Sequence, residues 1–164
     1  MARAIAECTC ATCGAKFEKI QFRANRKMAD EWKEWAEENC TICPDCWSKQ
    51  KKEEDAAKAA EVIKEFSLPE ITGKSDKQVK YANDLRNKFL AQQPVVDRLR
   101  YINKCLSDEE FEGRKKCEEE AKKEGLPFEK WLENAVKKSP FYGKRIWIVL
   151  RSCEARDIID TLIN

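Results

Sequence analysis

The chain has 164 residues, of which 42 % are hydrophobic and 38 % charged, with nine Cys, five Gly, five Pro and no His. This composition excludes a disordered or collagen-like chain and describes a charged, helix-rich one, long enough for one domain or for a small metal-stapled unit beside a second compact unit. The net charge is only +2, which argues against a protein that coats DNA, and the lack of histidine excludes any mechanism needing an imidazole base.

Residues 4–10 and 16–22 read as two short strands either side of the turn Cys10-Ala-Thr-Cys13-Gly14, whose glycine suits a positive φ. From 25 to 39, Met28, Trp32 and Trp35, with Ala29 and Ala36 beside them, form one apolar stripe on a helix otherwise rich in Glu and Lys. A second cysteine turn, Cys43-Pro44-Asp45-Cys46, opens a long helix to Phe66 with a thin apolar face of Ala56, Ala60, Ile63 and Phe66. Pro69 and Gly73 break that helix, and 68–74 is expected to be a linker.

Ser75-x-x-Gln78 has the pattern of a capping box, and it precedes Val79, Ala82, Leu85 and Phe89 at helical spacing. Pro94 restarts the chain into a helix over 95–106. Ser107-x-x-Glu110 is expected to cap a charged helix to about Lys123, and Pro127 to start another with Phe128, Trp131, Leu132 and Val136. Residues 144–150 hold Ile146, Trp147, Ile148, Val149 and Leu150, a β-branched and aromatic run that predicts a buried strand, after which Ser152 caps a last helix through Ile163. A strand there needs a partner for its backbone, and the strand containing Ile5 is the candidate.

The cysteines carry the clearest chemistry. A tetrahedral Zn²⁺ needs four soft donors from at least two chain segments, and each C-x-x-C turn supplies two. Cys10 with Cys13 and Cys43 with Cys46 fit, separated by 29 residues that accommodate a strand and a helix. Cys8 and Cys40 extend the two clusters, so Cys40 with Cys43 is an alternative second pair; the proline between Cys43 and Cys46 favours the latter. Closed coordination by four thiolates leaves no position for water, so such a site folds the segment rather than catalyses. Cys105, Cys117 and Cys153 have no ligand spacing and read as small buried or half-buried thiols.

Thr72-Gly73-Lys74-Ser75 ends like a phosphate-binding P-loop, but Leu68 stands where that motif needs its first glycine, so a helix N-cap accounts for the residues better. Residues 137–151 carry five basic and no acidic side chains, and residues 105–136 carry six basic and ten acidic. Lys137, Lys138, Tyr142, Lys144 and Arg145 mix charge and aromatic surface in the manner of a nucleic-acid contact. Against this, Trp147 could face the core while the lysines are merely solvated. No run approaches the roughly 18 apolar residues of a membrane span, and residues 1–13 lack the apolar core of a signal peptide, so the expected setting is cytoplasmic, without membrane contact and with reduced thiols.

The C-x-x-C-G turn, the C-P-x-C knuckle after an amphipathic helix, Leu68-Pro-Glu-Ile-Thr-Gly73, Ser75-Asp-Lys-Gln78 and the closing Trp147-Ile148 segment followed by Arg151 resemble a group of small zinc-ribbon proteins of bacterial phages and integrative elements. The resemblance implies a mobile-element setting, in which small non-enzymatic proteins bind nucleic acid or block host defence nucleases. The expected fold is α+β and α-dominated. It comprises a ribbon with its helices over 1–67, a linker over 68–74, and a helical unit over 75–164 ending in a strand and a short helix. The expected function is binding rather than catalysis. Its sharpest form is an anti-CRISPR-type inhibitor of a host RNA-guided nuclease, with the acidic helix at 107–124 mimicking nucleic acid; the alternative is a zinc-ribbon protein that binds nucleic acid directly.

Overall fold

The computed structural model describes residues 1–140 and 142–163. Among them, eight helices and one two-stranded antiparallel sheet make an α-dominated α+β fold, and no helix is long and apolar enough to cross a membrane. The chain forms two compact units that divide at Glu53 and Glu54.

Unit 1 begins with β1 (Ala2–Thr9) and β2 (Lys16–Arg23), paired from Ala2 opposite Arg23 to Thr9 opposite Lys16. Ala4, Ala6 and Cys8 alternate inward, while Arg3, Ile5 and Glu7 face out. Helix α1 (Arg26–Asn39) covers the inner face. Asn25 caps it, its Oδ1 accepting from the Met28 N–H at 3.0 Å. Here the apolar stripe differs from expectation. Ala29 and Ala36 are the buried residues of α1, and Ala36 packs with Ala6 and Cys8, whereas Met28 and Trp35 remain outside. Small side chains on both surfaces let helix and sheet approach closely, which displaces the bulky ones to the rim.

Helix α2 (Pro44–Glu65) starts in unit 1 and continues into unit 2, where Ala59 and Val62 are buried. Unit 2 further contains α3 (Asp76–Leu90), α4 (Gln93–Ser107), α5 (Glu112–Lys123), α6 (Phe128–Lys138), α7 (Gly143–Arg151) and α8 (Ala155–Ile163). Its core gathers Leu90, Val95, Leu99, Ile102, Ile146 and Val149, each buried side chain contributing about 1.5–3 kcal/mol by leaving water. A second cluster joins Ile71 and Ala82 to Ala155 and Ile158 of α8.

Four expectations need correcting. Residues 144–150 are not a strand but most of α7, and β1 pairs with β2 rather than with this segment. Gly143, Ile146, Trp147 and Val149 are its buried residues, a helical rather than alternating pattern. A short apolar run does not by itself distinguish strand from buried helix, and a helix satisfies its own backbone where a lone strand cannot. Secondly, 68–74 is part of unit 2 rather than a linker. Leu68 and Ile71 are buried, and Arg86, itself buried, donates from Nη1 to the Pro69 carbonyl at 2.7 Å. Thr72 then pairs with the start of α8, donating its N–H to the Cys153 carbonyl at 2.7 Å and accepting from Ala155 N–H at 2.8 Å.

Thirdly, Ser107 does not cap α5. It ends α4, its hydroxyl donating back to the Asn103 carbonyl, and α5 starts after Phe111 with no side-chain cap. Ser152 likewise closes α7 rather than capping α8, although its Oγ accepts from the Glu154 N–H at 3.1 Å and donates to Asp157 Oδ2 at 3.0 Å. Fourthly, Cys153 is exposed, while Cys105 is buried and Cys117 half-buried. The Ser75 cap is present, its Oγ accepting from the Gln78 N–H at 3.3 Å.

The α6–α7 turn has almost no spare room. A Cβ on Gly143 would lie 2.0 Å from the Val136 carbonyl oxygen. Helix propensity alone would favour alanine at this position by about 1 kcal/mol. Gly143→Ala should instead destabilise the protein by about 3 kcal/mol, the upper end of the usual overpacking cost, as read from the midpoint of chemical unfolding.

Candidate metal centre

Two backbone turns bring the four expected sulfurs together. At the first, Gly14 at φ 72° lets the chain reverse, its N–H donating to the Cys10 carbonyl at 2.8 Å, while the Cys10 N–H donates to Ala15 O at 2.9 Å. At the second, Cys43 stands just before Pro44, the first residue of α2, and its Sγ accepts from the Cys46 N–H at 3.5 Å, as an N-cap side chain would. The Ala11 N–H donates to the Thr41 carbonyl at 2.8 Å and ties the two turns together.

The Sγ atoms of Cys10, Cys13, Cys43 and Cys46 all lie within 4.8 Å of one another, and those of Cys13 and Cys43 are 3.7 Å apart. The alternative pairing is not adopted. Cys40 is the C-cap of α1, its N–H donating to the Ala36 carbonyl, and Cys8 is buried with its Sγ 3.5 Å from that same carbonyl oxygen. Burial, helped by the neighbouring Cys40 thiol, raises the Cys8 pKa, so this thiol stays neutral as part of the small core.

Cys10 and Cys46 are shifted in opposite directions. Backbone N–H groups, chiefly that of Cys43 and then that of Cys13, lower the Cys10 pKa to about 6. The sulfurs of Cys13 and Cys43, together with burial and Cys10, push Cys46 up to about 12. Four thiolates this close repel one another, and a cation at their centre removes the conflict. The cluster is therefore suited to one metal ion with four sulfur ligands and no open position.

The basic-aromatic residues fall in unit 2. Lys137, Tyr142, Lys144 and Arg145 line one concavity of about 380 Å³ with Ser139, Pro140 and Gly143; Lys138 is exposed but not part of that lining. Lys137 is ion-paired to Glu133 at the end of α6. Tyr142, at φ 60°, packs edge-on against Phe89 at 5.7 Å between centroids and serves the fold more than a ligand. Trp147 is buried, with the Arg151 guanidinium over its ring at 5.4 Å. Sequence patterning alone does not reveal a different aromatic surface, the rim of α1 with Trp32, Trp35 and Arg23.

No known protein family, curated protein or solved structure matches the chain.

Changing any one of the four ligands, for example Cys43→Ser, should abolish metal content measured by elemental analysis and unfold unit 1, whereas Cys8→Ser and Cys40→Ser should keep one ion per chain. Metal binding at pH 7 should release fewer than four protons, because Cys10 is already ionised, with the Cys46 proton among those lost. Acidification through about pH 6 should weaken binding further as Cys10 takes up its proton. Calorimetry in buffers of different ionisation enthalpy counts the protons.

Proposed function

We propose that the chain is a non-enzymatic nucleic-acid-binding protein whose first unit is held together by Zn²⁺. Zinc suits the cluster: four sulfurs at about 2.3 Å from a tetrahedral ion lie about 3.8 Å from one another, close to the 3.7 Å between Cys13 and Cys43. Four protein ligands leave no coordination site for substrate or water, which makes the ion a staple. The reduced thiols it requires suit a cytoplasmic setting.

The observation that carries the binding assignment is the convergence of Lys137, Lys144 and Arg145 on one concavity at the start of α7. Helix α7 has no side-chain cap there, so its first N–H groups add partial positive charge to that of the side chains. Phosphate is the complementary ligand; Lys137 shares its charge with Glu133, so Lys144 and Arg145 supply most of the local positive field.

The second reading, an inhibitor of a host RNA-guided nuclease, draws on the mobile-element resemblance and on α5 as a nucleic-acid mimic. Much of that acidity is already engaged: Glu112 pairs with Lys116, Glu118 with Arg114 and Glu120 with Lys123. Helix α5 itself carries four acidic side chains against five basic ones, so it is not a strongly anionic surface, which is why direct nucleic-acid binding is preferred.

Fluorescence anisotropy with labelled DNA and RNA should show affinity falling steeply as salt rises. Combined replacement of Lys137, Lys138, Lys144 and Arg145 by Ala should weaken binding at least tenfold and flatten the salt dependence. Absence of any binding at low salt, together with capture of a nuclease from a phage host, would replace this reading with the inhibitor one.

A further inference from the structure

Helix α1 covers the inner face of the unit 1 sheet, and the side chains at the middle of the outer face are exposed. There Arg3, Ile5 and Glu7 of β1 stand opposite Phe22, Ile20 and Glu18 of β2. Ile5 is 37 % exposed, Ile20 50 % and Phe22 61 %. The two isoleucines face each other directly and add nothing to the core of unit 1, whose buried members are Ala6, Cys8 and Ala36. Contiguous apolar surface with a charged rim is the pattern of a contact surface.

The rim charges are unevenly placed. Arg3 lies two residues before Ile5 and Glu7 two residues after it, each about 7 Å along the strand from the isoleucine. Glu7 stands directly opposite Glu18, and like charges in that position destabilise a strand pair. Among the described residues, the side chains of Arg3, Glu7 and Glu18 form no ion pair. One end of the patch therefore lacks an anion and the other lacks a cation, at equal distances from its centre.

A strand of nucleic acid would suit the arginine end but would be repelled by the two carboxylates. An unrelated protein would have to carry the same charges at the same spacing in reverse order. A second copy of this chain has them without further requirement, because a two-fold axis through the isoleucine pair reverses their order. Two such axes lie in the plane of the face. With the axis along the strands, Glu7 meets the partner's Glu18, which is repulsive. With the axis across the strands, each isoleucine meets its own copy, and Arg3 meets the partner's Glu7 beside the partner's Glu18. The charges select the second arrangement.

We propose that the outer face of the β1–β2 sheet is the contact surface of a homodimer, with Ile5 and Ile20 packed across a two-fold axis and Arg3 of each copy paired to the partner's Glu7 and the partner's Glu18. Two eight-residue strands present a face about 27 Å long and about 10 Å wide, small beside the roughly 800 Å² per partner of a standard interface, so the dimer is weak and depends on concentration. The surface shares no residue with the α6–α7 concavity, and either assignment stands if the other fails.

The test is sedimentation equilibrium of the full-length, metal-loaded protein without nucleic acid, from about 10 μM to about 1 mM, a range that spans weak affinities. The expected result is a monomer–dimer equilibrium. Arg3→Glu should raise the dimer Kd roughly tenfold or more, because the contact occurs twice in each dimer and repulsion replaces attraction. The joint variant Glu7→Lys, Glu18→Lys should do the same. An equimolar mixture of these two variants should dimerise at least as well as the parent, since every charge then meets its opposite across the axis. Ile20→Lys should abolish association. Metal content and circular dichroism establish that each variant is folded. The proposal is overturned if the parent remains monomeric throughout the range, or if the charge variants associate as the parent does, the result expected of pairing through the strand edges. It is overturned equally if the mixture of the two charge variants fails to regain association.

Discussion

The convergence of four sulfurs is the interaction on which unit 1 depends. Its buried cluster consists of Ala6, Cys8 and Ala36, with Phe17, Trp32 and Cys40 only partly buried around it. A core that small releases little apolar surface from water, and small domains commonly need a metal or disulfides to offset the entropy of ordering the chain. Cys10 and Cys13 close the β-hairpin, while Cys43 and Cys46 start α2, so one ion held by the four would join the sheet to the helix. The sulfurs are arranged at a cost, since N–H donors favour charge on Cys10 while its neighbours oppose charge on Cys46. A metal ion turns that conflict into stability.

Unit 2 is built on the opposite principle. Seven helical segments share a core rich in Leu, Ile and Val, and polar contacts serve mainly to fix the connections. Arg86 holds the Pro69 carbonyl, and Thr72 pairs across to the start of α8, so three hydrogen bonds anchor the segment after α2 at two residues, Pro69 and Thr72. Close approach at Gly143 then sets the α6–α7 corner and places Lys144 and Arg145 at a helix start. The same geometry that limits side-chain size at this corner concentrates positive charge there.

A metal staple also changes what the side chains of unit 1 are free to do. Cohesion from an ion held there would fit a helix α1 that presents small residues to the sheet and leaves Met28 and Trp35 at the surface. In a ribbon lacking such a staple those large side chains would be needed inside. The basic and aromatic surfaces of the two units accordingly have different origins: one lies at a tight interhelical corner, the other on the rim of a thin helix–sheet sandwich.

The sequence by itself determined the local features. The C-x-x-C turns, Gly14, Pro44 and the Ser75 cap are short-range chemistry, and each occupies the place its spacing implied. The metal-ligand set was legible because two C-x-x-C turns present their four soft donors in a spacing that suits a single tetrahedral ion and little else. Other features were decided by tertiary structure. Residues 144–150 have the composition of a strand, yet fold as α7 because the neighbouring helices bury Ile146, Trp147 and Val149 and no strand is there to pair with it. Residues 68–74 look like a linker because Pro and Gly break helices, but whether such a break is exposed depends on distant partners, here Arg86 and Cys153. The burial of Ala29 and Ala36 in place of Met28 and Trp35 likewise depends on the small residues of β1, which no periodicity within α1 can reveal. Backbone chemistry acts over a few residues and can be read from them; which face of a helix is buried depends on what the rest of the chain brings against it.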